Sequence, residues 1–329
     1  MRRLVIEEVA QYVPSSCIQV EQAHDRLGLS VAQARVFSRM YELPQCPVAQ
    51  EPELDLLLGP CQKLMAAHPQ VRDDIVLVVY AHTGAISGVW GQSLAQQLVS
   101  HLGLRNALGL GSCSNNCVGV FSAMTLANAY LAGQAPGKRA LIVVGEKADN
   151  VELRVVSNVA IVGDGAAAAL VSSESKAAGA CHGGDLSVEA AGRGRVTGQA
   201  IHYYPGYAEG IWLSSTSPQH QEFERHYQQR LKAVMEAALA DAEVEMDALK
   251  WVIPHNVNIW MWRKAAQYMA LPIEKVFLDN IRRTAHCLGA DMFINFDTLG
   301  QQIQLVPGDT VLMVSAGVGG VFGAAVLQI

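Results

Sequence analysis

Two parts of the sequence show the same order of strand-like and helix-like runs, roughly 170 residues apart. In the first, the apolar run Ile75–Tyr80 is followed by helical segments and by a strand that opens after Pro136. In the second, Leu249–Pro254 is strand-like and Pro307 precedes a strand, 171 residues after Pro136. Short apolar runs that alternate with helices are typical of α/β folds with buried sheets. The repeat therefore predicts a duplicated α/β unit, with the aperiodic segment Gly179–Gln228 as an insertion.

The composition agrees with one large fold and excludes some classes of partner. The chain has 329 residues, 50% of them hydrophobic, and a net charge of −6. A mild acidic balance argues against nucleic acid, whose phosphates require clustered Lys and Arg. The apolar runs are far shorter than the roughly 20 residues that span a membrane. The seven cysteines are odd in number and irregularly spaced, which predicts reduced thiols and a cytoplasmic location.

Cys117 is the sharpest candidate for a chemically reactive side chain. It follows the glycine-rich run Leu108–Gly111 and precedes a helix of small residues, Phe121–Leu131. The positive end of a helix dipole lowers the pKa of a thiol and so increases the nucleophilic thiolate. Local features alone leave open that Cys117 is a buried space-filling residue. Cys113 lies in the same loop, but no second cysteine pair follows, and no metal site is expected.

Two histidines follow predicted strands in the second repeat. His255 comes directly after the strand that ends at Pro254, and His286 lies in a loop before a predicted helix. Subtracting the repeat spacing places His286 opposite residue 115, two positions from Cys117. The carboxyl ends of strands are where α/β folds hold ligand groups. The duplication therefore predicts that Cys117, His255 and His286 meet near a pseudo-two-fold axis, although each histidine alone is more often structural.

Together these motifs resemble the thiolase superfamily, specifically its ketoacyl synthase III branch. The resemblance rests on four motifs: Cys117-Val118-Gly119, Pro254-His255 with Asn258, Gly163-Asp164-Gly165-Ala166, and the closing loop Gly317–Gly320. It extends from Val5 to Ile329. It implies a thiolase-like α/β fold in which duplicated halves form a five-layered αβαβα arrangement, normally as a homodimer. We expect residues 1–174 to form the half with the nucleophile and residues 175–329 the half with the histidines.

The resemblance also implies roles for the site residues. Cys117 would accept an acyl group as a thioester, and the backbone N–H groups of Cys117 and Gly319 would form the oxyanion hole. His255 would stabilise an enolate or act as an acid and base. The family usually has asparagine at the third catalytic position, where this sequence places His286. Two nearby residues are alternatives for that position: Asn258 and Asp291.

The expected substrates are acyl-coenzyme A or acyl-carrier-protein thioesters. The family's amino-terminal signature at the coenzyme A entrance, a Trp and a Gly-Ile-Arg, is absent from Arg35–Pro44. The basic residue with which the family meets its carrier protein is replaced by Trp260. Arg263 and Lys264 follow soon after it and are predicted to make this contact instead.

The leading functional prediction is a ketosynthase III-like acyltransferase. It would condense an acyl-Cys117 thioester with a malonyl-type thioester, releasing CO2, in fatty-acid, polyketide or other specialised-metabolite biosynthesis. One alternative is acyl transfer without decarboxylation to a hydroxyl, an amine or a carrier protein. An alternative of another class is a non-catalytic partner subunit in a heterodimeric ketosynthase. No cofactor is expected, and thiolase activity is disfavoured because the closing loop Ser315–Gly319 has no second cysteine.

Overall fold

The structure is a computed structural model. It describes residues 3–83, 93–149, 151–156, 158–174, 194–204, 218–317 and 319–329. Within these ranges, none of the helices combines the length and the apolar character that a bilayer span requires. Most of the loop 82–92 and much of the segment 179–228 lie outside the described residues, as does position 318 in the closing loop.

The secondary structure follows the predicted alternation of strands and helices. The strands are β1 (Arg3–Tyr12), β2 (Cys17–Gln19), β3 (Gln45–Pro47), β4 (Ile75–Ala81), β5 (Leu108–Ser112), β6 (Arg139–Glu146), β7 (Val155–Val156), β8 (Ala160–Ile161), β9 (Gly165–Glu174), β10 (Gly194–Tyr203), β11 (Trp251–Pro254), β12 (Thr310–Gly317) and β13 (Val321–Gln328). The helices are α1 (Val31–Arg35), α2 (Glu53–Ala67), α3 (Leu94–His101), α4 (Gly119–Ala132), α5 (Val151–Arg154), α6 (Pro218–Ala242), α7 (Ile259–Met269), α8 (Ile281–Thr284) and α9 (Asp291–Gln302).

Three layers of helices alternate with the two halves of a large sheet, so that one helical layer lies between the halves and one lies on each outer face. Among the described residues, nine strands form a mixed sheet in the order β11-β12-β13-β10-β1-β9-β6-β4-β5. A central core packs α4 and α9 between the two halves. A second core packs α6 and α7 against the outer face of one half, and a third packs α2 and α3 against the other. This is the expected five-layered αβαβα arrangement of an α/β fold.

The alternation of side chains in β4 explains why such a strand is apolar throughout. All seven of its residues are buried. Leu77 and Val79 face the central core, whereas Val78 and Tyr80 face the outer core with α2 and α3. Because successive side chains point to opposite faces, a strand between two helical layers has no polar face. The run Ile75–Tyr80 was therefore recognisable as a strand from sequence.

Two features of the fold differ from the sequence-based picture. The aperiodic segment contains β10, which lies inside the sheet between β1 and β13, and also the start of α6. Glycine, threonine and glutamine interrupt the apolar pattern that would mark β10 as a strand. Its structure depends instead on pairing with strands far away in sequence. In the second repeat, the apolar run Val276–Asp279 also resembles a short strand in sequence, but it forms only a single bridge between Val252 and Val276.

Candidate active site

Cys117 lies in a short 3-10 turn, Asn116–Val118, directly before α4. Only 4% of its surface is exposed. Its carbonyl oxygen accepts a hydrogen bond from the hydroxyl of Ser315 at 3.1 Å, which ties the turn to the end of β12. The thiol therefore lies at the amino-terminal end of a 14-residue helix, where the sequence predicted it.

His286 faces this thiol from the second half of the chain. Its Nε2 atom lies 3.5 Å from Sγ of Cys117, and its side chain is buried. Its backbone N–H donates to the carbonyl of Ile161 at 3.0 Å, and its own carbonyl accepts from the N–H of Gly163 at 3.1 Å. These bonds fix the loop, so the imidazole is held against the thiol by backbone pairing.

Asp291 completes a chain of hydrogen bonds with these two residues. Its Oδ2 lies 2.5 Å from Nδ1 of His286. The carboxylate also accepts the N–H of Cys287 at 2.7 Å and the N–H of Asn256 at 2.5 Å. A carboxylate surrounded by donors acts as an acceptor, so Nδ1 of His286 carries the hydrogen. Nε2 is then the atom that can take a proton from Cys117, which is the arrangement of a Cys-His-Asp triad.

The charges of the triad set the protonation state of His286. Burial alone lowers the pKa of this imidazole, but the carboxylate of Asp291 and the charge of Cys117 outweigh burial and raise the pKa to about 10. At neutral pH the imidazolium is therefore the favoured form beside the thiol. An imidazolium next to a cysteine stabilises the thiolate that attacks a thioester.

His255 belongs to the same site but has a different environment. It follows β11 and is 1% exposed. Its Nε2 lies 3.1 Å from the hydroxyl of Tyr227 on α6, and its carbonyl accepts from the indole N–H of Trp262 at 2.8 Å. Burial, and then the charge of His286, lower its pKa to about 3. His255 is therefore neutral, and its ring centre lies 6.1 Å from that of His286.

The closing glycine loop lies beside the cysteine turn. It joins β12 and β13 as a tight hairpin in which Gly317 pairs with Val321. A side-chain Cβ on Gly317 would lie 3.2 Å from the carbonyl oxygen of Asn115 and 3.6 Å from the backbone nitrogen of Cys117. Gly319 has a φ of +94°, a conformation that favours glycine. The loop therefore runs directly beside the turn that contains Cys117.

A cavity of about 180 Å³ connects these groups to the surface. Cys117, His255 and His286 form part of its wall, and Tyr41, Trp260 and Lys264 form another part. Trp260 is 41% exposed, so the cavity opens to the surface on the side formed by Trp260. Among the described residues, no group of three or more His, Cys, Asp and Glu side chains is arranged to hold a metal ion.

Three other predicted site residues have contacts outside the triad. The side-chain oxygen of Asn258 caps α7 by accepting from the N–H of Met261, and its amide donates to the carbonyl of Val159. Arg263 lies 3.6 Å from a carboxylate oxygen of Glu42. Lys264 lies over the ring of Trp260, with its Nζ 3.5 Å from the ring centre. Asn258 thus shapes the helix after His255, whereas the two basic residues lie near the open end of the cavity.

The Gly163–Ala166 turn is held by a buried ion pair of Asp164. Asp164 is fully buried, and one of its oxygens lies 2.6 Å from Nη1 of Arg154. It also accepts the backbone N–H groups of Ala49 and Ala148. The adjoining Gly163 donates to the carbonyl of His286, so this ion pair lies directly behind the catalytic loop.

Sequence reasoning missed two relationships in the site. It named Asp291 as an alternative to His286, whereas the structure makes Asp291 the hydrogen-bond partner of His286. An acidic residue at the first position of a helix, five residues after the histidine, was the available signal. Tyr227 was not identified at all, because nothing in the sequence of α6 distinguishes it from a core aromatic residue.

Two family models and a set of sequence relatives match this chain. The family model for 3-oxoacyl-[acyl-carrier-protein] synthase III matches residues 112–187, and the model for the C-terminal region of the same family matches residues 239–329. A beta-ketoacyl-[acyl-carrier-protein] synthase III from Ruegeria sp. (strain TM1040) is 25% identical over 333 residues, which cover 99% of both chains.

Solved structures share the fold over the whole chain. ChlB3, described as an acyltransferase, superimposes with a TM-score of 0.82 at 21% identity, covering 99% of this chain and 98% of the other. FabH, the 3-oxoacyl-(acyl carrier protein) synthase III from Pseudomonas aeruginosa PAO1, gives a TM-score of 0.78 at 18% identity, again covering 99% and 98%. At these identities the structural matches establish a common fold, and the family models and sequence relatives carry the assignment further. The chain is a ketoacyl synthase III-like member of the thiolase superfamily, and as such an acyltransferase of the condensing-enzyme group.

Proposed function

We propose that this protein transfers an acyl group from a thioester to an O–H, N–H or S–H nucleophile without decarboxylation. The observation that carries the proposal is the carboxylate of Asp291 at 2.5 Å from Nδ1 of His286. The leading prediction from sequence, decarboxylative condensation, and its alternative share the first half-reaction and separate only in the second. The comparisons with known proteins do not distinguish them.

The two second half-reactions make different demands on the histidine beside Cys117. In a decarboxylative condensation the attacking carbon becomes nucleophilic through loss of CO2, and no proton has to be removed from the acceptor. In transfer to a hydroxyl, an amine or a thiol, the acceptor must lose its proton as it attacks. A histidine that receives this proton becomes an imidazolium, which an adjacent carboxylate stabilises. The pairing of His286 with Asp291 supplies this stabilisation.

The proposed reaction has two steps. In the first, the Cys117 thiolate attacks the thioester carbonyl, the carbon–sulfur bond of the donor breaks, and the donor thiolate takes the proton from His286. In the second, His286 accepts the proton of the acceptor while the acceptor attacks the acyl-Cys117 carbonyl, and Cys117 leaves as the thiolate. The N–H groups of Cys117 and Gly319 are proposed to bind the oxyanion in both steps, each donor contributing about 3–4 kcal/mol in other enzymes.

Acylation of Cys117 is the first testable consequence. Incubation with acyl-coenzyme A, or with an acyl-pantetheine thioester, is expected to increase the intact-protein mass by one acyl group. Cys117→Ala should abolish the adduct, whereas Cys113→Ser should retain it because Cys113 is an exposed cysteine of the same loop. An unchanged adduct in Cys117→Ala would move the nucleophile elsewhere. Absence of any adduct in the parent protein would instead favour the non-catalytic partner subunit.

Release of CO2 separates the two second half-reactions. With a malonyl thioester as the substrate, the proposal predicts transfer of an intact malonyl or other acyl group, and CO2 release no faster than in Cys117→Ala. Release of CO2 in proportion to product would establish condensation instead. A panel of alcohols, amines and carrier-protein thiols, analysed by product mass, would identify the acceptor class.

Basic side chains lie near the open end of the cavity. Arg263 and Arg282 both lie beside Glu42, and each contacts one of its two carboxylate oxygens. Lys264 lines the cavity itself. A basic surface at the mouth of a narrow cavity attracts either the phosphates of coenzyme A or an acidic carrier protein. We infer that this surface receives the donor, in the cytoplasm, and that Arg263 and Lys264 contact it.

A second copy of the chain is proposed to pair with β5. This strand is the last in the sheet order, and its Leu108 and Leu110 are 48% and 37% exposed. An edge strand with exposed apolar side chains favours pairing with another chain. We expect Leu110→Lys to convert a homodimer of twice the 35.3 kDa chain mass into a monomer, as measured by light scattering after gel filtration. The exposed Val306→Lys should remain dimeric, and a monomeric parent protein would contradict the proposal.

A further inference from the structure

The hydrogen bond between Tyr227 and His255 has no part in the acyl-transfer steps. The Tyr227 hydroxyl lies 3.1 Å from Nε2 of His255, and both side chains line the cavity that contains Cys117. Nδ1 of the same imidazole is buried and has no hydrogen-bond partner among the described residues. Of the two ring nitrogens of His255, Nε2 is therefore the one with a hydrogen-bond partner among the described residues, and that partner is the Tyr227 hydroxyl.

The surroundings hold Tyr227 in this position. Tyr227 is 3% exposed, and its ring packs against Phe223 and Phe322 at centre-to-centre distances of 5.7 and 5.9 Å. His255 is fixed from the opposite side by Trp262, whose ring centre lies 5.6 Å away. These ring contacts place Tyr227 and His255 in one packed aromatic cluster, so the hydrogen bond between them is a built part of the resting site.

Loss of CO2 from a malonyl thioester requires hydrogen-bond donors at the thioester carbonyl. When the bond between the α-carbon and the carboxylate breaks, its electron pair moves to the carbonyl oxygen, which becomes an enolate oxygen. Donors directed at that oxygen lower the barrier because the negative charge develops there. His255 could donate a hydrogen bond from Nε2 to this enolate oxygen only if Nε2 were not already hydrogen-bonded to the Tyr227 hydroxyl.

We propose that Tyr227 is a specificity-determining residue that keeps Nε2 of His255 from the substrate carbonyl and so suppresses decarboxylation. This inference rests on the proposed acyl transfer, whose second step does not use Nε2 of His255. Tyr227 acts through His255 and is therefore a positioning residue. Its substitution should add an activity, which a purely structural residue would not do when it is removed.

The test compares CO2 release by Tyr227→Phe with that of the parent protein, using malonyl-coenzyme A. The variant keeps the aromatic ring and loses only the hydroxyl, so that acylation of Cys117, followed by mass, reports whether it is folded. We expect CO2 release to increase by about tenfold or more. In the double variant Tyr227→Phe with His255→Ala, this increase should disappear, because the freed nitrogen is then absent.

Tyr204→Phe is the matched control. The ring of Tyr204 also packs on Phe322, at 5.7 Å, but no described hydrogen bond joins its hydroxyl to His255. This variant should release CO2 at the parent rate. An unchanged or lower rate in Tyr227→Phe, with Cys117 still acylated, would overturn the inference. Rapid CO2 release by the parent protein would instead overturn the proposed function, while the ratio between variant and parent would still test Tyr227.

Discussion

Asp291→Asn is expected to slow acyl transfer about 100-fold or more, which is the range for a lost general base or its orienting carboxylate. The carboxylate of Asp291 accepts hydrogen bonds from His286 and from the N–H groups of Asn256 and Cys287. An asparagine has one acceptor oxygen and would direct its NH2 group at one of these donors. The imidazole would then favour the tautomer with hydrogen on Nε2, which cannot accept a proton from Cys117 or from the acceptor.

The same substitution should change how the reactivity of Cys117 depends on pH. In the parent protein, burial lowers the pKa of His286, but Asp291 and Cys117 raise it to about 10, so the imidazolium persists from acidic pH through neutral pH. Alkylation of Cys117 by iodoacetamide should therefore vary little between about pH 6.5 and 9. Without the carboxylate, the pKa of His286 falls and the cationic neighbour is lost at neutral pH. Alkylation should then be slower at neutral pH and increase as the pH rises.

Asp297→Asn is the control for this experiment. Asp297 is half-buried on the same helix, α9, and accepts a hydrogen bond from Gln301 at 2.9 Å, away from the site. It should keep both the transfer rate and the alkylation profile of the parent protein. Melting temperatures of the two variants would separate a loss of folding from a loss of chemistry. A parent-like transfer rate in a folded Asp291→Asn protein would contradict the role given to the carboxylate.

Much of the fold could be predicted because local pattern and duplication agree. Strands such as β4 are apolar on both faces, and glycine and proline mark the turns between elements, so that an α/β fold follows from the order of elements. The five-layered arrangement was implied by the resemblance to the thiolase superfamily, not by this pattern. The repeat spacing also predicted that His286 lies opposite the turn that contains Cys117. The interior strand β10 could not be predicted, since its sequence has no strong alternation and its position depends on pairing with β1 and β13.

The sequence pointed to residues that the structure brings together, but not to the interactions between them. Strand ends and motif order identify Cys117, His255 and His286 from sequence. The hydrogen bond of Asp291 to Nδ1 of His286 depends on how the loop after α8 turns, which no spacing rule fixes. The contact of Tyr227 with His255 depends on how α6 packs on the sheet. Both are tertiary contacts, and they are the ones that distinguish the proposed reactions.

Arg154→Met is expected to lower the free energy of unfolding by about 3–5 kcal/mol, the usual cost of leaving a buried charge without its partner. Arg154 pairs with Asp164, and their side chains are 7% and 0% exposed, so water cannot replace the lost guanidinium. Arg154 also donates to the carbonyls of Val162 and Ala148, and these acceptors would lose their bonds. Urea denaturation, followed by circular dichroism, would measure the change. Arg39→Met is the matched control, since its ion pair with Glu21 is exposed and its loss should leave the midpoint unchanged.

A double variant tests whether the unpaired charge is the cause of this loss. Arg154→Met combined with Asp164→Asn removes both charges, while the asparagine oxygen can still accept one of the two N–H groups, of Ala49 or Ala148, that Asp164 binds. If the isolated carboxylate causes most of the loss, the double variant should be more stable than Arg154→Met by about 1 kcal/mol or more. If the double variant is less stable than Arg154→Met, then the hydrogen bonds of Asp164 matter more than its charge. Because Gly163 donates to the carbonyl of His286, the acyl-transfer rate of each folded variant would also show how far this ion pair holds the catalytic loop in place.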